Sequence, residues 1–402
     1  MGSEESSTSL GFHYSFFILL YLIMTRPTWA EIDLDSLAAN FRVLRQFVDA
    51  GVKIMAIVKA DAYGHGSALC ARRLAEEGAD WFGVALPEEA IELRENGIEQ
   101  PILCLGGFWT GQEKLCLANH ITPIIYRLDM AESLDRAARE LNLTADIHIK
   151  IDTGMGRLGV RFDNVSEFAE ALRQFKNLRV DGLMTHFAAA DAAEDDDFTR
   201  QQTEKFNAAV EIFRAQEFHP RWFDLANSPG MLAHPATWGN LVRVGGALYG
   251  IGKDIFPPSE TVANLRPVLS LKSRITLLKQ VPQGETLGYS RSFKTKRDSL
   301  IATVPIGYND GLPRTLSNNG AAIVNGVKAA IVGRVSMDLT ILDVTDAPGV
   351  KLFDEAVFIG SQANEQITVE TLAGQAKTIS YEITCGIGKR VPRVTHKSAN
   401  RV

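Results

Sequence analysis

The sequence predicts an α/β protein: a (β/α)8 TIM-type barrel followed by a second, mainly β C-terminal domain. Three observations carry that expectation. Between about residues 50 and 250 eight short apolar runs occur, nearly all followed by an amphipathic helical period. Beyond about residue 265 the pattern changes to closely spaced β-rich segments. The chain has 402 residues, 46% hydrophobic and 22% charged, which is ordinary globular material with room for one large domain and a smaller one.

Residues 1–23 open with Glu4 and Glu5 and then carry the apolar stretch Phe16-Phe17-Ile18-Leu19-Leu20-Tyr21-Leu22-Ile23. That stretch is short for a bilayer span, no basic region precedes it and no A-x-A site closes it. It is expected to be an upstream or disordered N-terminal extension, with a membrane anchor as the competing reading. Met24-Thr25-Arg26-Pro27-Thr28-Trp29-Ala30-Glu31-Ile32 reads as a natural start. The barrel is assigned to residues 24–262, its first strand near 28–34 left open to pairing with the β domain instead.

The repeat begins with Lys53 to Lys59, a near-continuous apolar run of the kind buried on both faces in parallel sheets, followed by the helix Ser67 to Glu77. Then come Trp81 to Leu86 with Glu88 to Glu95, Ile102 to Leu105 with Gly111 to Ala118, and Ile121 to Tyr126 with Met130 to Leu141. Asp146 to Asp152 precedes the helix Val165 to Phe175, and Val180 to Phe187 precedes Phe198 to Gln216. Trp222 to Ala226, a short helix after Ser228, and Leu241 to Tyr249 close the series. Alternating strand and helix forces a parallel sheet, and eight strands in about 200 residues favour a closed barrel over an open doubly wound sheet. Past the Pro257-Pro258 loop, β-rich runs such as Leu269 to Gln280, Leu300 to Ile306 and Val327 to Arg334 dominate, with one helical period at Thr368 to Ala376. Residues 263–402 are assigned to the C-terminal β domain.

Chemistry is expected where strands end. Lys59 closes the first apolar run and precedes the glycine-bracketed turn Ala60-Asp61-Ala62-Tyr63-Gly64-His65-Gly66. An amine there points toward the rim where barrel enzymes assemble their sites, and partial burial would lower its pKa from about 10.4 toward a range suited to Schiff-base formation. A solvated strand-end lysine is the plainer reading, so the other rim residues must decide. Lys150 and Asp152 end the fifth strand with Arg157 just beyond; His186 ends the sixth, Asn227 and Ser228 the seventh, and Arg243, Gly245 and Gly246 lie at the eighth. Singly each fits a structural role such as a helix cap or tight turn. Together they fall on one rim. The hydroxyl of Ser228 and the closely approachable backbone of Gly245-Gly246 suit a phosphate. The implied ligand is a phosphorylated cofactor whose aldehyde can reach Lys59, and pyridoxal phosphate satisfies both demands.

A net charge of -6 argues against nucleic acid as a main partner. Cys70, Cys104, Cys116 and Cys385 show no metal-binding spacing and are expected to be free thiols, mostly buried; no structural metal is expected.

With these residues in place, the sequence resembles the alanine racemases from Met24 to about His396. The matching motifs are Val58-Lys59-Ala60-Asp61-Ala62-Tyr63-Gly64-His65-Gly66, Lys150-Ile151-Asp152-Thr153-Gly154-Met155-Gly156-Arg157-Leu158-Gly159-Val160 and Thr185-His186-Phe187. Ala226-Asn227-Ser228, Val242-Arg243-Val244-Gly245 and Gly288-Tyr289-Ser290 continue the match. Pro305-Ile306-Gly307-Tyr308-Asn309-Asp310-Gly311 and Val332-Gly333-Arg334-Val335-Ser336-Met337-Asp338 complete it. The resemblance implies a cytoplasmic pyridoxal-phosphate-dependent isomerase that interconverts L- and D-alanine, supplies D-alanine for peptidoglycan, and shares its active site across a homodimer. No membrane partner is implied.

Carried over by position, Lys59 holds the cofactor and is the base on the D-alanine side, while Tyr289 from the partner subunit is the base on the L-alanine side. Tyr63, Ser228, Gly245, Gly246 and Tyr381 are the implied phosphate contacts. Arg243 is implied to face the pyridine nitrogen with His186 beside it, and Arg157 and the backbone of Met337 to hold the substrate carboxylate. Lys150 matches a lysine often carbamylated in the family; Tyr308, Arg314 and Tyr381 match access-channel residues. Ser336 stands where many members carry cysteine, and the N-terminal extension is foreign to the usual pattern. A non-catalytic pyridoxal-phosphate carrier, a barrel decarboxylase and a serine or broad-specificity small amino-acid racemase are the other readings. The carrier would require neither a second domain nor Tyr289.

Overall fold

The computed structural model describes residues 26–256 and 258–396. The extension expected at residues 1–23, and its membrane-anchor alternative, lie outside the described residues. The chain divides into two compact units, one of residues 33–268 and 379–385, the other of residues 26–32, 269–378 and 386–395.

In the first unit the strands Lys53–Ile57, Trp81–Val84, Ile102–Cys104, Ile121–Ile125, Ala145–Asp152, Leu178–Met184 and Trp222–Asp224 each pair in parallel with the next. Leu241–Val244 pairs in parallel with Lys53–Ile57. The remaining seam is drawn together by Asn240 N donating to Phe223 O at 3.2 Å and Arg243 N to Ala226 O at 2.9 Å. The result is the nearly closed eight-stranded barrel that the alternating pattern predicts. Met55, Ile57, Trp81, Leu103, Ile124, Met184 and Leu241 cluster inside it, so the interior is a packed floor rather than a pore. His148 belongs to this floor, its ring 5.5 Å from that of Trp81. Gly182 makes room for it, because a Cβ there would stand 2.5 Å from the imidazole. Burial pushes the His148 pKa down to about 3, which keeps the floor neutral.

Several strands stop short of the apolar runs that announce them. Lys53 to Lys59 ends as a strand at Ile57, Val180 to Phe187 at Met184, and Leu241 to Tyr249 at Val244. The first run breaks because the backbone turns left-handed after Lys59, and the last because Gly245 leads into a 3-10 turn at Gly246–Tyr249. The rim residues therefore sit on short loops carried by a rigid scaffold.

The helix Leu34–Phe47, which the sequence reading did not single out, is capped by Asp33, whose carboxylate accepts from Asp35 N at 3.0 Å and Ser36 N at 2.8 Å. It buries Leu37, Phe41 and Leu44. From the same helix the Asn40 amide donates to Leu248 O at 2.9 Å and Arg266 O at 2.7 Å, and accepts from Arg266 N at 2.8 Å.

The second unit is an antiparallel sheet. Its spatial order is Leu277–Val281, Ser299–Val304, Thr340–Asp343, Val327–Ile331, Ala321–Val324, Glu355–Gln362, Leu269–Arg274, Thr28–Asp33 and Arg393–His396. Thr28–Asp33 pairs with Leu269–Arg274, Trp29 facing Lys272. Leu269–Arg274 alternates buried and partly buried residues, the signature of a sheet packed on one face. Val281, Leu287, Ile301 and Val332 form a core cluster of this unit. The helix Ser380–Cys385 packs instead with the barrel unit, where Ser380 Oγ donates to Asp254 Oδ1 at 2.9 Å.

Asn40→Ala removes three hydrogen bonds, one buried and two partly buried, and strands an amide and two carbonyls. A loss of roughly 2–4 kcal/mol is expected, read as a shift in denaturant midpoint. A change within roughly 0.5 kcal/mol, the range of ordinary surface substitutions, would contradict the bridging role.

Candidate active site

Lys59 is delivered by the strand Lys53–Ile57 and followed at once by a left-handed turn. Ala60, Asp61, Ala62 and Tyr63 hold φ of 53, 54, 53 and 55°, a conformation costing L residues roughly 1–2 kcal/mol each. Four in succession persist only where the surroundings over-determine them. Glu89 Oε1 accepts from Ala60 N at 2.7 Å, and its Oε2 accepts from Ala85 N at 2.6 Å. Asp61 accepts from Ser67 N at 2.8 Å. The buried His65 brings Nδ1 to 2.9 and 3.0 Å from the carbonyls of Ala62 and Tyr63, and its ring lies 4.6 Å from Tyr249. Gly64, at φ +84°, must be glycine for a second reason: a Cβ would come within 2.0 Å of Thr384 O on the helix that carries Tyr381.

A cavity of about 750 Å³ opens on this rim, lined by Lys59, Tyr63, Lys150, Arg157, His186, Ser228, Arg243, Gly245, Gly246 and Tyr381, among others. Residues far apart in the chain thus share one wall, as their positions after successive strands require. Tyr289, Met337 and Tyr308 belong to the other unit, where they are 71%, 52% and 43% exposed; Arg314 is exposed there too. None of these four lines the cavity.

The cations divide into two kinds. Arg243 is anchored through both terminal nitrogens: Nη1 donates to the Asp224 carboxylate and to Asp224 O at 3.2 Å, while Nη2 reaches Thr185 O at 3.0 Å, Leu225 O at 3.1 Å and His186 Nδ1 at 3.1 Å. A guanidinium only donates, so His186 Nδ1 accepts and the ring carries its proton on Nε2. Burial, followed by the Arg243 charge, holds the His186 pKa well below its ordinary value. Burial lifts the Asp224 carboxyl to about 6 even against the pull of Arg243.

Lys59, Lys150 and Arg157, by contrast, make no side-chain hydrogen bond or ion pair among the described residues. Burial lowers the Lys59 pKa, with Arg157 adding to the effect. Lys150 is depressed to about 7 by burial and then by Arg243 and Arg157. Three basic side chains without protein partners in one cavity favour anionic ligands.

One end of the cavity has the donors a phosphate needs. Ser228 Oγ accepts from Gly245 N at 2.9 Å and can itself donate onward. The Tyr63 and Tyr381 hydroxyls have no hydrogen-bond partner among the described residues, and burial raises both pKa values, so both stay protonated. A Cβ on Gly245 would stand 2.5 Å from the Tyr63 hydroxyl, and one on Gly246 2.4 Å from that of Tyr381. With an amine elsewhere in the same cavity, this donor set fits pyridoxal phosphate. Among the described residues no group of three or more His, Cys, Asp or Glu side chains is placed to hold a metal, and no helix is long and apolar enough to cross a membrane.

Sequence reading overlooked Glu89 and Asp224. Glu89 is legible only as the third residue of a helix begun by Pro87, a place where acids are common. Asp224 left a clearer trace, as an acid within an otherwise apolar strand. Cys70, Cys104 and Cys116 are buried, whereas Cys385 is exposed and lines the cavity because it ends the helix that returns to the rim.

Residues 32–253 match the alanine racemase N-terminal domain family and residues 268–395 the alanine racemase C-terminal domain family. The chain is 43% identical to the alanine racemase of Halothermothrix orenii over 92% of its own length and 97% of that protein's. It is 42% identical to that of Geobacter sulfurreducens, with the same shares covered. Among solved structures, alanine racemase from D-cycloserine-producing Streptomyces lavendulae gives a TM-score of 0.86 at 35% identity, covering 93% of this chain and 98% of that one. The alanine racemase of Clostridium difficile 630 gives 0.87 at 34%, covering 94% and 97%. That of Bartonella henselae, solved with covalently bound pyridoxal phosphate, gives 0.81 at 31%, covering 92% and 100%.

The Lys150 pKa has a consequence for stability. Between pH 7 and 10.5 the unfolded chain holds a proton that the folded chain does not, so this site's contribution to stability rises with pH across that window. Below pH 7 the buried ammonium carries its full cost. In cofactor-free protein, Lys150→Met should therefore gain most over wild type at pH 6 and lose that advantage toward pH 10. Melting temperatures whose difference stays constant over this range would count against the depressed pKa.

Proposed function

The chain belongs to the alanine racemase family and interconverts L- and D-alanine with pyridoxal phosphate; from this premise we propose that Lys59 and Tyr289 are its two bases, in a site shared by two copies of the chain. The observation that carries the proposal is the cavity itself, which combines the half-buried Lys59 amine, the unpartnered Lys150 and Arg157, and a set of hydroxyls at one end. When bound there, pyridoxal phosphate withdraws electrons from the α-carbon and makes its proton removable.

Racemisation must then take the proton from one face and return one to the other, so two opposed bases are the direct solution. Lysine and tyrosine both start near pKa 10, about three units from neutrality, or about 4 kcal/mol each. For Lys59 the lowering by burial and by Arg157 supports the role. Tyr63 and Tyr381 suit the phosphate end, because burial holds their protons on. The second base must come from elsewhere, and Tyr289, largely exposed on the β unit, is available to a partner subunit. The unpartnered Arg157 is assigned to the substrate carboxylate, joined by the backbone of Met337 from the partner. Arg243, with His186 fixed beside it, is assigned to the cofactor ring, and Ser228, Gly245 and Gly246 to its phosphate. Lys150, depressed to about 7, has the neutral amine needed to take up carbon dioxide, and a carbamate there would oppose the Arg157 and Arg243 charges.

The proposed division of labour follows: the unit of residues 33–268 and 379–385 for the cofactor, and the β unit for Tyr289 and Met337. The match to the C-terminal family, residues 268–395, speaks against a carrier that would need no such domain. A homodimer, a cytoplasmic location and supply of D-alanine for peptidoglycan complete the reading.

Incubation with L-alanine in D₂O should yield D-alanine deuterated at Cα. Tyr289→Phe should cut exchange from the L enantiomer by at least about 100-fold while keeping the visible absorbance of bound cofactor, and Lys59→Ala should abolish that absorbance. Unchanged turnover in the first variant, or a retained band in the second, refutes the corresponding assignment. Mixing the two inactive variants should regenerate activity, since one of the two sites in a hybrid dimer carries both bases. A hybrid as inactive as its parents would place both bases in one subunit.

A further inference from the structure

Asp310 is fully buried in the β unit, yet it is the most heavily hydrogen-bonded carboxylate of the loops assigned to the substrate. Arg26 Nη1 and Nη2 donate to its two oxygens at 2.5 Å each, Arg390 Nε at 2.7 Å and Gly307 N at 2.8 Å. That exhausts the roughly four acceptor sites of a carboxylate. Burial opposes its ionisation, but the hydrogen bonds from Arg26 and Arg390 hold its pKa below the ordinary value, so the pairs persist at neutral pH.

The two arginines do not stop at Asp310. Arg26 Nη2 also reaches Pro305 O, and Asp338 O at 3.1 Å, while Arg390 Nη2 reaches Asp338 Oδ1 at 2.7 Å and Met337 O at 3.4 Å. The loop before Asp310 and the loop around Met337 are also tied directly, Tyr308 N to Ser336 O at 3.0 Å and Asn309 N to Met337 O at 3.1 Å. Gly307 permits that approach, since a Cβ would lie 2.3 Å from Ser336 O. The side chains these loops present, Tyr308, Met337 and Leu339, are nevertheless exposed. Arg26 and Arg390 are themselves partly exposed, and ion pairs of partly exposed side chains contribute little net stability, so a buried carboxylate held by two such arginines under two exposed turns speaks for geometry.

We propose that Asp310, clamped by Arg26 and Arg390, is a positioning residue that sets the register of the Tyr308 and Met337 loops and through them the alanine-binding geometry. The inference rests on the reading that these loops complete the substrate site of a partner subunit. Arg390 is the better probe than Asp310, because its loss leaves Asp310 paired with Arg26 and Gly307 N.

In the holoenzyme, Arg390→Ala should raise KM for L-alanine at least about tenfold, since displacement of a positioning group by about 1 Å costs up to 10²-fold. kcat should change far less, and the cofactor absorbance and melting temperature should stay near wild type. Arg390→Lys keeps a charge beside Asp310 but not the fork that spans both loops, so its KM should remain raised. A wild-type KM in either variant overturns the clamp. So does a fall in kcat and melting temperature that accompanies any rise in KM, which marks a purely structural role. In a hybrid of Arg390→Ala with Lys59→Ala, the one site with Lys59 receives the loops of the Lys59→Ala chain if sites are shared, and its KM should be that of wild type. A hybrid that keeps the raised KM overturns the shared site and leaves the clamp standing.

Discussion

Everything at the rim depends on the left-handed turn that follows Lys59. At roughly 1–2 kcal/mol for each of four residues, Ala60 to Tyr63 store about 4–8 kcal/mol of backbone strain, a sum comparable with the whole stability of many domains. The turn survives because Glu89 and Asp61 bond its two ends and His65 the carbonyls inside it. Its hand has a use. Lys59 is placed at the strand end while Tyr63, one tight turn later, brings its hydroxyl against Gly245. Gly64 then accepts Thr384 O at a distance no side chain would permit, which docks the helix that brings Tyr381 alongside Tyr63, ring centroids 5.5 Å apart. The Lys59 amine and the hydroxyls of Tyr63 and Tyr381 are thus set by one strained segment.

Strain of this kind has an electrostatic counterpart. A folded chain that gathers Lys59, Lys150 and Arg157 around a cavity without partners gives up stability for binding potential, and the depressed lysine pKa values are the measure of it. Any anion that binds the folded cavity and not the unfolded chain returns part of that energy, which couples ligand binding to folding. Arg243 is the contrasting case. With Asp224 and three backbone carbonyls around it, its position is fixed before any ligand arrives.

The barrel was legible because parallel strands buried on both faces write themselves as apolar runs, and the cavity-lining residues because they follow those runs. The strand ends were less so. Nothing in Ala60-Asp61-Ala62-Tyr63 signals a left-handed turn, since no glycine is among them and the bonds that enforce it come from residues 89 and 65. The return of residues 379–385 to the barrel unit is equally silent, being decided by the contact of Thr384 with Gly64 more than 300 positions earlier in the chain. Tyr381 was implied by the family resemblance; its neighbours could not be foreseen. The helix Leu34–Phe47 follows an acidic cap, but its apolar period lay outside the repeat that drew attention.

The anchoring of Arg243 also bears on how the reaction is controlled. With this guanidinium beside the cofactor ring nitrogen, as proposed, no proton passes to that nitrogen, because arginine holds its proton at any working pH. His186 cannot supply one either, since its own pKa is held far below neutrality by burial and by Arg243. An unprotonated ring is a weaker electron sink, so negative charge generated at the α-carbon is stabilised less and must be quenched sooner. Rapid quenching is possible only if the second base is already in place when the first has taken its proton. Tight control of the loops assigned to the substrate, those of Tyr308 and Met337, matches that demand.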